Sequence, residues 1–263
     1  MNARIAASPT FPPMPRAFAG LRQVVRLNWT SYAAAVVTAG GALALRGGAH
    51  LAAPFALLLL LVATVTLGWL VASLLATAWV YDLSPLRHRS WIPALLPRVP
   101  RRWLNLHSGL DESSDALRRL FPHSEGSVAD LYDPSDRNAP SIRRARSHAG
   151  LSVAAIPPRT PSRLAAADGS LEAVFLIFAA HEVRRRTRRE LLFGEIRRVL
   201  STDGVALVVE HARDCSNFVA FGPGAFHFQP VSEWRRLARM AGLEIDLERR
   251  MTPFVRILRL RRP

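Results

Sequence analysis

Two imidazole–carboxylate pairs stand at the ends of two apolar runs that are typical of buried parallel strands. His181 and Glu182 follow the first run, and Glu210 and His211 close the next one along the chain. Ligands of open α/β sheets bind at the carboxyl ends of the strands, so both pairs are expected to face one crevice. We predict that His181 or His211 acts there as a general base. A helix cap or a supporting role for either histidine is the alternative.

An aromatic segment comes directly after the second pair. Residues 214–228 carry four phenylalanines around a Gly-Pro-Gly turn. An apolar, aromatic lid with one imidazole favours a hydrophobic or aromatic ligand, including one that arrives from a bilayer. We therefore predict ligand contacts from Asn217, Phe221, Phe226 and His227. The alternative is a segment that only packs onto the sheet.

Metal and nucleic-acid binding are not favoured. No set of His, Asp and Glu residues has the local spacing of a metal site, so no metal ligand is predicted. Cys215 is the single cysteine, which leaves no thiol pair for a disulfide. The arginines within 184–189 have Glu190 and Glu195 in reach and no interleaved aromatic residues. Such a run is typical of a solvated or membrane-facing helix, and no nucleic-acid partner is expected.

The charge of the chain is concentrated near its N-terminus. The 263 residues include 35 Lys and Arg, all of them Arg, against 20 Asp and Glu, and 49% are hydrophobic. Residues 1–102 hold 10 Arg and one acid, whereas residues 103–263 hold 25 Arg and 19 acids. This composition excludes a disordered tail and a disulfide-rich small protein. The location of the arginines therefore matters more than their total.

Two uncharged runs lie between the N-terminal arginines. They cover residues 27–45 and 51–81, which are 19 and 31 residues long, and each can cross about 30 Å of hydrocarbon as a helix. The arginines that flank them predict a hairpin in the cytoplasmic membrane, with both termini in the cytoplasm and the link 46–50 outside. A small-residue face of Ala34, Gly40, Gly41 and Ala42 would let the helices approach closely. Two buried helices of a soluble domain are the alternative.

Four regions follow from these patterns: a flexible cytoplasmic tail at 1–26, the transmembrane hairpin at 27–81, a basic Pro-rich connector at 82–102 and an α/β domain at 103–263. The connector is expected to lie along the anionic membrane surface. In the last region, strand-like runs alternate with amphipathic stretches. Strands are predicted at 103–106, 127–132, 151–156, 172–178 and 205–210, a terminal strand pair at 243–248 and 254–260, and helices at 114–121, 141–148, 187–200 and 232–241.

Three consecutive segments of this domain carry a resemblance. They read DGSLEAVFLIFAAHEV from Asp168 to Val183, then ELLFGEIRRVL, then STDGVALVVEH up to His211. Together they resemble the second half of the class I S-adenosylmethionine-dependent methyltransferases. The resemblance implies a Rossmann-like α/β domain with a mostly parallel sheet and an antiparallel terminal strand, here preceded by two transmembrane helices. It also implies S-adenosylmethionine as the cofactor and a small-molecule methyl acceptor.

The first half of the domain departs from this family. The loop after the first strand, Asn105-Leu-His-Ser-Gly-Leu-Asp-Glu112, keeps a single glycine where the family has several. By the resemblance, Gly109 allows close approach of the cofactor, His107 stands beside it, and Asp133 occupies roughly the place of the acid that binds the ribose hydroxyls. Asp133 before a proline is equally typical of a turn, and His107 of a loop or core histidine. The family's acid after the third strand is missing from the stretch 156–159.

Two hypotheses follow from the sequence. The first is a membrane-anchored methyltransferase that uses S-adenosylmethionine and acts on a small, hydrophobic or lipid- or quinone-like acceptor. The second is a catalytically inactive, methyltransferase-like membrane scaffold or interaction protein, which the eroded glycine loop favours. Binding of S-adenosylmethionine separates the two.

Overall fold

A computed structural model describes residues 18–136, 138–148 and 163–263. The helices are α1 (Ala19–Leu27), α2 (Trp29–Gly48), α3 (Ala53–Ala78), α4 (Ser114–Leu120), α5 (Pro140–His148), α6 (Arg186–Val199), α7 (Cys215–Phe221) and α8 (Val231–Met240). The strands are β1 (Arg102–His107), β2 (Glu125–Asp130), β3 (Leu171–Ile177), β4 (Leu200–His211), β5 (Glu244–Thr252) and β6 (Val255–Arg261).

The strands form one mixed sheet in the order β2-β1-β3-β4-β6-β5. The first four strands in this order are parallel, and β6 runs antiparallel to both β4 and β5. The predicted α/β class, with a mostly parallel sheet and an antiparallel terminal strand, is therefore confirmed. The strand predicted at 151–156 lies outside the described residues.

Strand β4 begins five residues earlier than predicted, because Gly204 continues the strand instead of turning it. A Cβ on Gly204 would lie 2.7 Å from the carbonyl oxygen of Leu171 in β3. Only glycine lets the two backbones approach so closely. A side chain is excluded at this point. Leu200 pairs with Leu171, and the register shifts before Val205 pairs with Ala173.

The two faces of the sheet bury different side chains because residues alternate along each strand. In β3, Val174 and Leu176 pack against α6 and α8, whereas Phe175 packs on the opposite face with Trp103. Each fully buried large apolar side chain stabilises the fold by about 1.5 to 3 kcal/mol. The apolar clusters on the two faces of the sheet therefore hold in place the strands whose carboxyl ends form the crevice.

The basic connector packs on the sheet. Leu86 is 1% and Ile92 0% exposed, and both belong to the same cluster as Trp103. Burial of these apolar side chains holds the connector in place. Its position along an anionic membrane surface remains a prediction.

The tail also differs from its prediction, since its last residues form α1. The backbone N–H groups of Gly20 and Leu21 donate to the two carboxylate oxygens of Asp82, both at 2.8 Å. Asp82 is the one acid of residues 1–102, and it satisfies free N–H groups at the positive end of the α1 dipole. A Cβ on Gly20 would lie 2.4 Å from that of Tyr81, so glycine allows this contact.

Helices α2 and α3 pack against each other as an antiparallel pair. Ala39 and Ala42 of α2 meet Ala63 of α3, and the hydroxyl groups of Tyr32 and Ser73 lie 3.3 Å apart. Of the predicted small-residue face, Ala42 lies in this contact. Gly40 and Gly41 do not, because a Cβ on either would meet no atom within 4 Å in the described part of the chain.

Among the described residues, one helix is long and apolar enough to cross a membrane. It runs from Ala53 to Leu83 through α3 and the following π-helical turn, with a mean hydropathy of 2.5 and 6% of its most apolar window buried. A core helix of a soluble protein can pass the same test of length and composition, although such a helix is mostly buried. The two-helix transmembrane hairpin remains a prediction.

Candidate functional site

A cavity of about 130 Å³ lies at the carboxyl ends of β1 and β3. His107 is the last residue of β1, and Phe178 follows β3 directly. Helix α1 and the turn after α3 close the cavity from the other side. The polar side chains that face it come from Gln23, Asn28, Tyr81, Asn105, His107, Ser108, Glu112, Ser113, Ser141, His181 and Glu182.

His107 and Asn105 line this cavity and carry buried polar atoms without a hydrogen-bond partner among the described residues, although His107 Nδ1 lies 3.7 Å from Asp130 Oδ1. His107 is 6% exposed, and neither of its ring nitrogens has a hydrogen-bond partner among the described residues. The Oδ1 atom of Asn105 is also without a partner there, while its Nδ2 donates to Ser114 Oγ at 2.9 Å. Buried polar groups normally have hydrogen-bond partners, so a polar ligand bound in this cavity is expected to supply the missing ones.

Gly109 adopts the conformation that only glycine takes without strain. Its φ is +78°, and a Cβ there would lie 2.6 Å from Cγ2 of Ile142 in α5. Its N–H donates to Asp130 Oδ1 at 2.8 Å. The glycine is therefore required by the packing of the loop on α5 and by the turn itself.

Asp130 holds this loop, and sequence analysis missed it. Besides Gly109, its Oδ1 accepts from the N–H of Tyr132 at 2.9 Å, and its Oδ2 accepts from the Arg146 guanidinium at 2.5 Å. Asp130 is the last residue of β2, and that position was the available signal, since the carboxyl ends of parallel strands face the crevice.

Asp133 is engaged elsewhere. Its Oδ1 accepts from the N–H and the hydroxyl of Ser135 at 2.8 and 2.7 Å, and its Oδ2 lies 3.1 Å from Arg188. Burial raises the pKa of this carboxyl, but the hydrogen bonds from Ser135 outweigh that effect and lower it. Asp133 starts a turn and does not line the cavity. Its assignment to ribose remains a prediction.

His181 pairs with Glu210 across two strands and not with its sequence neighbour. Its Nδ1–H donates to Glu210 Oε2 at 2.6 Å, and Glu210 Oε1 accepts from the N–H of Ala180 at 2.7 Å. The Nε2 atom of His181 lies 3.4 Å from Glu182 Oε1. Burial lowers the pKa of His181, but the charges and hydrogen bonds of Glu210 and Glu182 raise it to about 10. His181 is therefore an imidazolium between two carboxylates.

His211 is neutral and lies in a cage of aromatic rings. Its ring stacks on Phe228 with centroids 4.7 Å apart, and Phe178 and Phe221 complete the cage. Burial, together with the positive charge of His181, lowers its pKa to about 3. The carbonyl oxygen of Phe254 accepts from Nδ1 at 3.2 Å, so Nδ1 carries the proton.

Tyr81 connects His211 to the cavity. With the His211 proton on Nδ1, the Tyr81 hydroxyl donates to Nε2 at 3.4 Å, and the Tyr81 side chain lines the cavity. Tyr81 is the last residue of the uncharged run 51–81. The π-helical turn Trp79–Leu83 redirects the chain so that Tyr81 reaches the carboxyl end of the sheet. No pattern in the sequence predicts such a turn.

The four predicted ligand contacts of the lid separate in the structure. Asn217 is buried and donates to Phe254 O at 3.0 Å, which fixes the turn between β5 and β6. Phe221 packs on His211, whereas Phe226 is 64% exposed. His227 reaches the crevice, where its Nε2 donates to Glu182 Oε1 at 3.0 Å. Of the four residues, only His227 therefore joins the polar cluster around His181.

His181, Glu182 and His227 also have metal-ligand geometry. Their ligand atoms all lie within 4.8 Å of one another in the described part of the chain. Sequence spacing predicted no metal site, because His227 is far from the other two along the chain. The Arg184 guanidinium lies 3.4 Å from Glu182 Oε2 and contacts the His227 ring. This positive charge already balances the cluster and opposes a cation.

The fold matches solved structures at low identity. The pyocyanin biosynthetic protein PhzM aligns with 15% identity and a TM-score of 0.54, over 92% of this chain and 73% of that one. The O-methyltransferase NcsB1 from neocarzinostatin biosynthesis, in complex with S-adenosylmethionine and 2-hydroxy-5-methyl naphthoic acid, aligns with 17% identity and a TM-score of 0.49, over 93% and 74%. The mitomycin 7-O-methyltransferase MmcR aligns with 17% identity and a TM-score of 0.47, over 95% of this chain and 74% of that one.

No protein-family model and no curated protein matches the chain. The likeness to PhzM shows a shared fold, an α/β domain with a mixed sheet. Fold alone does not fix an activity.

Proposed function

We propose that this protein is a membrane-anchored methyltransferase that uses S-adenosylmethionine and methylates a small hydrophobic acceptor, of the lipid or quinone type. The observation that carries the proposal is the pair of unsatisfied side chains at the end of β1, His107 and Asn105, beside the His181–Glu210 pair at the ends of β3 and β4. Both lie at the edge of the sheet where α/β proteins bind ligands.

The residues of the β1 edge fit the polar parts of the cofactor. His107 Nε2 and Asn105 Oδ1 have no hydrogen-bond partner among the described residues, and Ser108 and Leu110, on either side of Gly109, line the cavity. S-adenosylmethionine, when bound, supplies a methyl group on a sulfonium. The cavity of about 130 Å³ is smaller than the roughly 300 Å³ of typical ligand pockets, because Gln23 and Val24 of α1 close it. Binding therefore requires α1 to move outward.

His181 is suited to hold an acceptor oxygen. His181 lines the cavity, and its Nε2 lies 3.4 Å from Glu182 Oε1. The pKa of about 10 keeps the ring charged at neutral pH. An acceptor oxygen bound there as an oxyanion would be stabilised by the imidazolium. Glu210 fixes the ring through Nδ1. In this proposal His181 stabilises the nucleophile and His211 supports Tyr81, and the role of either histidine as a general base stays a prediction.

Membrane anchoring rests on α3, whose apolar side chains are exposed along its length. Leu57, Leu61 and Leu75 are all more than half exposed. Water contact with so many apolar groups is unfavourable, and a bilayer removes it. The flanking arginines favour a cytoplasmic location for both termini and for the α/β domain.

An inactive scaffold remains the second candidate, and the small cavity and the single glycine of the β1 loop favour it. Isothermal titration calorimetry of S-adenosylmethionine into the full chain in detergent micelles separates the two. We expect saturable binding, weakened about tenfold or more by His107→Ala, which removes a ligand partner. His123→Ala changes an exposed histidine and serves as the matched control. Absence of heat at high micromolar concentration would overturn the methyltransferase proposal and leave the scaffold as the candidate.

A further inference from the structure

Three apolar side chains stand exposed on the lid. Phe218 and Val219 lie on α7, and Phe226 lies on the following 3₁₀ turn, with the two phenylalanine ring centroids 6.0 Å apart. We call these three residues the lid patch. The surrounding segment 215–226 contains no charged residue. A contiguous apolar surface of this kind marks a contact with a partner or a membrane.

The lid patch is fixed against α3. The ring of Phe218 meets that of Trp69 edge to face, with centroids 6.1 Å apart. A Cβ on Gly222 would lie 2.8 Å from the Trp69 ring, so the glycine lets the lid approach the helix closely. The lid therefore shares the level of Trp69 along the α3 axis.

The length of α3 places that level inside a bilayer. Trp69 lies 16 residues after Ala53, which is about 24 Å along the helix axis. The hydrocarbon core of a bilayer is about 30 Å thick. Any tilt of α3 would shorten the distance, along the membrane normal, between Trp69 and the boundary at Ala53. A span that starts at Ala53 thus reaches its cytoplasmic boundary beyond Trp69. The lid patch falls at or below that boundary.

We propose that the lid patch inserts into the cytoplasmic leaflet, with the boundary between phospholipid acyl chains and headgroups as its occupant. This inference rests on the proposed membrane anchoring. Arg213, exposed just before α7, supplies a positive charge that suits anionic headgroups. A second copy of the chain is a poorer occupant. Three partly exposed side chains offer a few hundred Å² at most, against about 800 Å² per partner in a stable interface.

Insertion would open the crevice towards the bilayer. Phe221 lies on α7 with the patch and packs on His211, so the same short helix has one side at the membrane and the other at the site. A hydrophobic acceptor could then pass from the leaflet to the crevice without crossing water.

Site-directed spin labelling tests the depth of the patch. Cys215 is the only native cysteine, so Cys215→Ser gives a background for single cysteines. Val219→Cys labels the patch and Leu61→Cys labels α3. Met240→Cys is the matched control, because Met240 is 63% exposed, close to the 68% of Val219, but belongs to α8 on the opposite face of the sheet. The labelled full-length variants are placed in vesicles of phosphatidylcholine and phosphatidylglycerol.

We expect the labels at 61 and 219 to collide several-fold more with oxygen than with a water-soluble nickel chelate, and the label at 240 to show the reverse. A membrane-buried label at 61 with a water-exposed label at 219 would overturn the insertion of the lid and leave the anchor intact. Water exposure of all three labels would overturn both. Spin–spin broadening at 219 that disappears on dilution with unlabelled protein would identify a second copy and also overturn the proposal.

Discussion

Glu210 is the residue at which the two strand ends of the site meet. The sequence places it beside His211, yet its carboxylate binds the side chain of His181 and the N–H of Ala180. Parallel strands β3 and β4 are neighbours, so residues at their carboxyl ends come together, while adjacent residues of one strand point to opposite faces. Glu210 therefore pairs with His181 of the neighbouring strand end and not with His211.

Glu210→Gln tests the charge in this pair. Glutamine can still accept from His181 Nδ1 but carries no negative charge, so we expect the pKa of His181 to fall from about 10 by about 1 to 3. Titration followed by NMR of ¹⁵N-labelled histidine measures it. Glu244→Gln removes a glutamate of β5 that pairs with Arg261 on the surface, and should leave His181 unchanged. An unaltered His181 in Glu210→Gln would show that Glu182 alone holds the proton.

Gly109 permits a second test at this scale. Gly109→Ala forces a side chain into a φ of +78° and against Ile142, and we expect a loss of about 1 to 3 kcal/mol in unfolding free energy. Gly194→Ala is the matched control. It lies within α6, where an added Cβ meets no atom within 4 Å in the described chain, and alanine should stabilise the helix by about 0.5 to 1 kcal/mol. Equal denaturation midpoints for the two variants would contradict the assigned strain.

At the scale of elements, α6 and α8 are joined by buried and half-buried ion pairs. Glu233 of α8 accepts from Arg189 of α6 at 3.0 Å and from Arg236 at 2.8 Å. The hydrogen bonds from Arg236 and Arg189 lower the pKa of Glu233 to about 2. Because the folded-state pKa lies below the usual value of 4.5, this carboxylate stabilises the fold above pH 4.5 and loses its effect as the pH falls towards 2.

Glu233→Gln should therefore be less stable than the parent chain at pH 7, and the difference should shrink as the pH falls from 5 to 2. Urea unfolding at a series of pH values measures it. Glu125→Gln, at an exposed glutamate of β2, is the control and should show little dependence on pH. A difference that stays constant over this range would mean that the side chain acts through packing and not through its charge.

The elements that could be predicted are those with a strong local signal. The apolar run of β3 and the amphipathic stretches of α6 and α8 were located within one or two residues. The packing of the connector on the sheet was not predicted, because its contacts depend on residues far along the chain. For the same reason Asp82 gave no sign that it would cap α1, since the partners are more than 60 residues apart. Local pattern specifies elements, and tertiary contact decides where they dock.

At the scale of the molecule, the crevice is built partly from the apolar N-terminal region. Tyr81 and the helix α1 close the site, although sequence analysis treated this region as anchor and tail. The site was therefore predictable only in its C-terminal half, where His181, Glu182, Glu210 and His211 end successive strands. The turn after α3 belongs both to the anchor and to the wall of the crevice. A movement of the anchor would therefore displace Tyr81 in the site.

The number of membrane crossings gives the last prediction. Reporter fusions at the N-terminus, after Gly48 and at the C-terminus should give cytoplasm, outside and cytoplasm, because nine arginines flank the hairpin and one lies in its link. If α3 alone crosses, the two termini report opposite sides, and α2 then lies on one surface. Added lysines in the link, at Gly47 and Gly48, weaken the charge asymmetry and should reduce the outside signal after position 48. A C-terminal reporter outside the cytoplasm would contradict the hairpin and place the crevice on the other side of the membrane.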